Sequence, residues 1–198
     1  MTMRHALSVS LLVLAATACK QAALVEQPTL HEVMAGKIDP VADVIWEESS
    51  KSYSDDGNAK VGVLDAAQWA AIAKAGRDLH DGAMVIADNP GIKVVPPGVK
   101  ILDEGTVPEA ITGTQVEAYV DADREGLAKH ARELSKIALE IEAAAKARDA
   151  VRTVKLSEDL DEVCESCHQR FWYPDQKALI DYKKQRVHAG RETTSAAP

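Results

Sequence analysis

The chain has 198 residues, enough for one domain with a proper core and marginal for two. Hydrophobic residues make up 46%, largely alanine, while aromatics are 4% and charged residues 27%, a balance that favours packed helices over a β-sandwich. A net charge of −8, with no basic stripe, argues against nucleic acid and for a partner presenting a basic or neutral patch.

Residues 1–18 read as a signal peptide of the lipoprotein type. Arg4 and His5 form a short polar head, and Ala6 to Ala16 is an apolar run of h-region length, too short to span a bilayer as a helix. Ala16-Thr17-Ala18 places small residues before Cys19, which resembles a lipobox with Ala16 where leucine is usual. The competing reading is an ordinary secretory signal that cuts before a cysteine. Both readings export the chain to the periplasm, and membrane attachment would come only through lipid on Cys19. Arg4 is the one Lys, Arg, Asp or Glu in this segment, so the exported chain sets 22 basic residues against 31 acidic ones, a charge of −9.

Residues 19–28 read as a flexible leader, 29–182 as a helical domain, and 183–198 as a disordered polar tail. A first helix is predicted from Thr29 to Ser49, with Leu30, Val33, Met34, Ile38, Val41, Val44 and Ile45 as its apolar stripe. Pro40 lies within it and predicts a kink or break near Lys37. Residues 50–64 read as a loop. A second helix opens at Asp65 with Gln68 completing a capping box, buries Trp69, Ile72, Gly76, Leu79, Ala83 and Ile86, and stops at Asn89-Pro90-Gly91.

From there to Gly113 the chain holds four prolines and four glycines, which rules out a long helix and suggests a crossover or a flap. A third helix spans Thr114 to Ala147, interrupted near Asp121–Asp123. Its seam of Leu127, His130, Leu134, Ile137, Ile141 and Ala144 alternates steps of three and four, the pattern of left-handed bundle packing. The fourth helix follows a short turn at 146–149, with Val151, Val154, Leu160, Val163, Cys167 and Phe171 inward, and ends by Pro174. The fold class is therefore all-α, and the arrangement reads as four helices with one long crossover.

Cys164-Glu165-Ser166-Cys167-His168 is a C-x-x-C-H sequence, the signature of covalent haem attachment. Two cysteines three apart sit on neighbouring edges of one helical face, matching the vinyl groups on one side of a porphyrin, and the next residue offers its ring nitrogen to the iron. A thioredoxin-like pair would follow a strand and open a helix, and this one sits late in a helix. Zinc would need about four ligands, and no second Cys or His pair stands at ligand spacing. The cofactor expected is one haem c, held by Cys164 and Cys167 with His168 as proximal ligand.

Four helices with one C-x-x-C-H near the C-terminus, and Phe171 three residues beyond the histidine, resemble the class II cytochromes, the cytochrome c-prime group. The resemblance covers about residues 29–175 and is specific at Cys164, Cys167, His168 and Phe171. It implies an antiparallel four-helix bundle with the covalent haem near one end. It fails at Trp172, where the family usually carries arginine or lysine; Arg170 is close but at another helical phase. Helix-face dimers occur in that family, so a homodimer is an expectation the resemblance carries.

In that family the first helix supplies the residue on the distal side. Here that residue is Met34, whose thioether would stabilise ferrous haem and suit a low-spin electron carrier. Methionine on an apolar stripe is otherwise core filler. Met84, His80 and His130 are competing ligands, His130 being better suited to a hydrogen bond within the bundle. His31 lies one position off the stripe and reads as solvated, and His188 falls in the tail. Trp46, Trp69, Trp172 and Tyr173 read as haem shielding or core. The expected function is a periplasmic monohaem electron carrier that is not an enzyme and works with redox partner proteins. The alternative is a five-coordinate protein binding nitric oxide or carbon monoxide. A peroxidase is disfavoured, since no distal His/Arg pair stands at a recognisable spacing.

Overall fold

The structure, a computed structural model, describes residues 27–53, 63–101, 104–105 and 111–174. The signal segment, Cys19, most of the leader, the tail and residues 175–182 of the expected domain lie outside the described residues. The fold is all-α: among the described residues there is no strand. No helix among them is long and apolar enough to cross a membrane.

Helix α1 (Leu30–Val33) begins at Thr29, whose hydroxyl accepts the Glu32 N–H while Glu32 accepts the Thr29 N–H in return, a full capping box. A π-helical turn follows over Met34–Ile38, and α2 runs on from Asp39 to Ser50. The break expected near Lys37 is thus a widened turn within a continuous helix. Pro40 explains it. In an α-helix its ring would clash with the carbonyl of Gly36 and leave that carbonyl without a donor. The chain instead bonds the Asp39 N–H to the Met34 carbonyl, one residue further back than α geometry allows.

Helix α3 (Ala66–Ala87) opens on the predicted Asp65–Gln68 capping box. Helices α4 (Gly113–Ala122) and α5 (Arg124–Ala147) meet at Asp123, where the expected interruption falls and where the Asp123 carboxylate caps α5 through the Gly126 N–H at 2.9 Å. Arg148 takes a left-handed conformation (φ 54°) to end α5, and α6 (Ala150–Phe171) begins at once. It ends three residues before Pro174.

Helix α3 packs on α2 and α5, α6 packs on α5 and α2, and the contacts close in a ring around one core. Ile45, Ile72, Leu79, Ile141 and Leu160 are fully buried in it, each worth about 1.5–3 kcal/mol of transfer free energy. The tightest seam joins α3 to α5 at Gly76, where a Cβ would stand 2.8 Å from the Ala138 carbonyl and the Glu142 nitrogen. Two stripe assignments are corrected: Val44 and Val151 are 36% and 58% exposed. Each lies at the margin of its helix's apolar arc, where neighbouring helices do not reach.

The connection between α3 and α4 is no loose flap over its described part. Ile92, Val94 and Ile101 are buried, and two side chains from beyond it hold its backbone. Arg124 donates to the Pro90 and Ile92 carbonyls at 3.0 and 3.1 Å, and the Glu117 carboxylate accepts the Val94 N–H at 2.6 Å.

Candidate haem site

On α6 the spacing of Cys164, Cys167, His168 and Phe171 places all four on one face, since residues three, four and seven apart stack along a helix. Leu160 extends the same face toward the core and is fully buried. The motif occupies the last two turns. There the helix dipole disfavours a thiolate, the reverse of a reactive C-x-x-C at a helix N-terminus.

The end of α6 is closed around His168. Its carbonyl accepts the Trp172 N–H at 2.7 Å and the Tyr173 N–H at 2.9 Å, so the chain turns back over the imidazole. The Tyr173 ring lies 6.0 Å from that of His168, tilted by 58°, and its hydroxyl donates to Glu165. Arg170 does not line the cavity: its guanidinium lies 5.9 Å from the Phe171 ring centroid and pairs with Asp123 at 2.6 Å, tying the end of α6 to the α4–α5 joint. It therefore does not replace the basic residue missing at Trp172.

This face borders a cavity of about 330 Å³ with an apolar lining. Cys164, Cys167, His168 and Phe171 line it from α6, and Met34 lines it from the first turn of the π segment. The five residues singled out for cofactor and metal binding from the sequence thus come to one place, although Met34 lies far from the others in the chain. The volume falls at the small end of the range for small-molecule and cofactor sites. Among the described residues no group of three or more His, Cys, Asp and Glu side chains is arranged to hold a metal ion.

The rival ligands separate in the structure. His80 is outside the cavity, with its Nδ1 2.7 Å from Ser135 Oγ, and Met84 packs against the core without reaching the lining. His130 does line the cavity; its Nδ1 is 3.3 Å from Ser166 Oγ and its ring meets Phe171 edge-on at 6.0 Å. His31 is corrected: it is half-buried and lines the cavity. Its spacing of three from Met34 on a helical face was the available signal. Trp172 and Tyr173 line the cavity as well, while Trp69 is core and Trp46 joins α2 to α6.

Burial dominates the electrostatics. It pushes both thiols up to about 12, helped at Cys164 by the carboxylates of Asp161 and Asp39 and at Cys167 by Cys164 itself. Both are protonated, uncharged thiols at neutral pH, and both are free. Burial also lowers the pKa of His168, against the opposing pull of Glu165, Asp39 and Asp161, so its imidazole is neutral and keeps a lone pair for a metal. Tyr173 is pushed up by burial and by Glu165. Asp39 belongs to this set only through the packing of α2 on α6, and no local pattern in the sequence marks it.

Comparison with protein-family profiles, with curated proteins and with solved structures yields no match.

Proposed function

We propose that this chain is a monohaem c-type cytochrome of the class II kind, an antiparallel four-helix bundle that carries electrons in the periplasm. The observation that carries this reading is one apolar cavity lined together by Cys164, Cys167, His168 and Phe171 from α6 and by Met34 from the opening helix. Cys164 and Cys167 would hold haem c covalently, and His168 and Met34 would be its axial ligands. Bound haem c supplies a one-electron Fe(II)/Fe(III) couple.

The chain's own residues provide the rest. His168, kept neutral by burial, offers its ring nitrogen without a proton to displace, and the Trp172–Tyr173 turn fixes its backbone. Met34 offers a soft sulfur on the distal side. Phe171, Leu30, Val94 and Val116 exclude water from the wall. Export rests on the signal segment, the lipid anchor on Cys19, and the choice of a basic or neutral redox partner on the acidic charge.

The test is expression with an exported haem-attachment system. The protein should gain the mass of one haem, and Cys164→Ala/Cys167→Ala should lose it. The ferric protein should be low-spin with a sulfur-to-iron charge-transfer band at long wavelength, and Met34→Ala should abolish that band. A high-spin spectrum, shifted by carbon monoxide after reduction, would replace the carrier by the gas-binding reading. Absence of covalent haem would sink both.

A further inference from the structure

The N–H groups at the start of a helix have no carbonyl of their own helix to bond. In α1 those of Leu30 and His31 donate to the strap that precedes α4, to Lys93 O at 2.7 Å and Val94 O at 2.9 Å. The strap has no regular structure of its own to stay in place. Its outer side is held by Glu117 and Arg124. Glu117 accepts the Val94 N–H at 2.6 Å and the Lys93 ammonium at 3.3 Å, and Arg124 reaches the Pro90 and Ile92 carbonyls. The two are 3.7 Å apart with side chains only 22% and 28% exposed, so solvent screens them less than a surface pair.

The consequence falls on Met34. Met34 begins the widened turn directly after α1, so the turn bonded by the strap is the one that leads into Met34. Leu30 and Val94, the two sides of the bonded seam, line the same cavity as Met34. The strap therefore braces the turn that presents Met34, and two side chains that do not line the cavity help to hold the strap.

We propose that Glu117 and Arg124 are positioning residues for Met34: they clamp strap 90–94 onto the start of α1 and so hold the Met34 thioether against the iron. This rests on the reading of Met34 as the distal ligand. Weakening the clamp raises the fraction of protein with Met34 detached, and an external ligand gains apparent affinity by the same factor.

The experiment titrates the ferric haem-loaded protein with imidazole, which binds only where Met34 has left. Weakening these charge-assisted contacts should tighten apparent imidazole affinity about tenfold or more in Glu117→Gln and in Arg124→Ala. Arg124→Lys, which keeps the charge and loses the fork, should fall between. The same change in a Met34→Ala background should then have no effect, because no internal ligand remains to detach. Amide exchange at Leu30 and His31 should quicken in the clamp variants and confirm that the strap has loosened. Unchanged imidazole affinity in both clamp variants, or an equal change in the Met34→Ala background, overturns the proposal while leaving Met34 as ligand. If Met34→Ala alone leaves imidazole affinity unaltered, the ligand reading itself is wrong and the clamp proposal falls with it.

Discussion

The indole N–H of Trp46 donates to the backbone carbonyl of Ser157 at 3.0 Å, joining the helix that follows Met34 to the helix that carries Cys164, Cys167 and His168. The bond lies between α2 and α6, two elements that meet only in the folded chain. Trp46→Phe removes the donor and part of the buried ring. It should cost about 1–3 kcal/mol, read as a lower urea midpoint at an unchanged slope. A changed slope would instead mean that the folded or unfolded ensemble had altered, and would count against this local account.

One substitution made at two glycines should act in opposite directions. At Gly76 a methyl group would meet backbone atoms of α5 at 2.8 Å, and backbone cannot rotate away. Gly76→Ala should force α3 and α5 apart and cost about 1–3 kcal/mol or more. At Gly36, within the π turn, a Cβ meets nothing within 4 Å, so Gly36→Ala should stabilise by about 0.5–1 kcal/mol through the unfolded chain. Thermal melts of the two variants check the sign directly.

Much of this was legible because it is written in local chemistry. Asp65 and Gln68 announce the start of α3, and the C-x-x-C-H spacing with Phe171 three residues on places Cys164, Cys167, His168 and Phe171 on one helical face before any packing is known. The interruption at Asp121–Asp123 follows from a carboxylate that caps better than it continues a helix. Other features depend on long-range contact. The form of the break at Pro40 was open, because a proline can be met by a kink, a broken helix or a wider turn, and packing of Val33, Ile38 and Ile45 on the core favours keeping the helix continuous. The strap over 90–94 was legible only as a non-helical crossover or flap, since its partners Glu117 and Arg124 stand more than twenty residues away.

Glu142 gives the acid limb of stability a named source. Its carboxylate is buried between Arg77 and Lys146, each at 2.6 Å, and Lys146 first and then Arg77 hold its pKa below the ordinary 4.5. A carboxylate with a lowered pKa in the folded state adds stability that is complete above its unfolded value. That stability is lost as pH falls through the folded value. Glu142→Gln should therefore be less stable at neutral pH, by about 1–3 kcal/mol given that its partners are 48% and 65% exposed, and should lose less on acidification below about pH 4.5. Urea titrations at pH 7 and at pH 3 measure the difference, and parallel acid limbs in the two proteins would rule the assignment out.

With haem c bound as proposed, the carboxylates around His168 would tune the reduction potential that its ligands set. Asp161, Asp39 and Glu165 all act on the His168 imidazole, and Asp161 and Asp39 act on Cys164. A negative field at the iron favours the more positive ferric state and lowers the potential, opposing the thioether of Met34, which raises it. Asp161→Asn should therefore raise the potential. Asp161 is exposed, so its effect is partly screened, and the shift should stay within about 60 mV, the equivalent of a tenfold change for a one-electron couple. It should also shrink as salt shortens the screening length. Asp78→Asn, on α3 and paired with Lys74 away from the cavity lining, should leave the potential unchanged. Equilibrium redox titration at two ionic strengths decides the point: a fall in potential for Asp161→Asn, or an equal rise for Asp78→Asn, would mean that the field at the iron arises elsewhere.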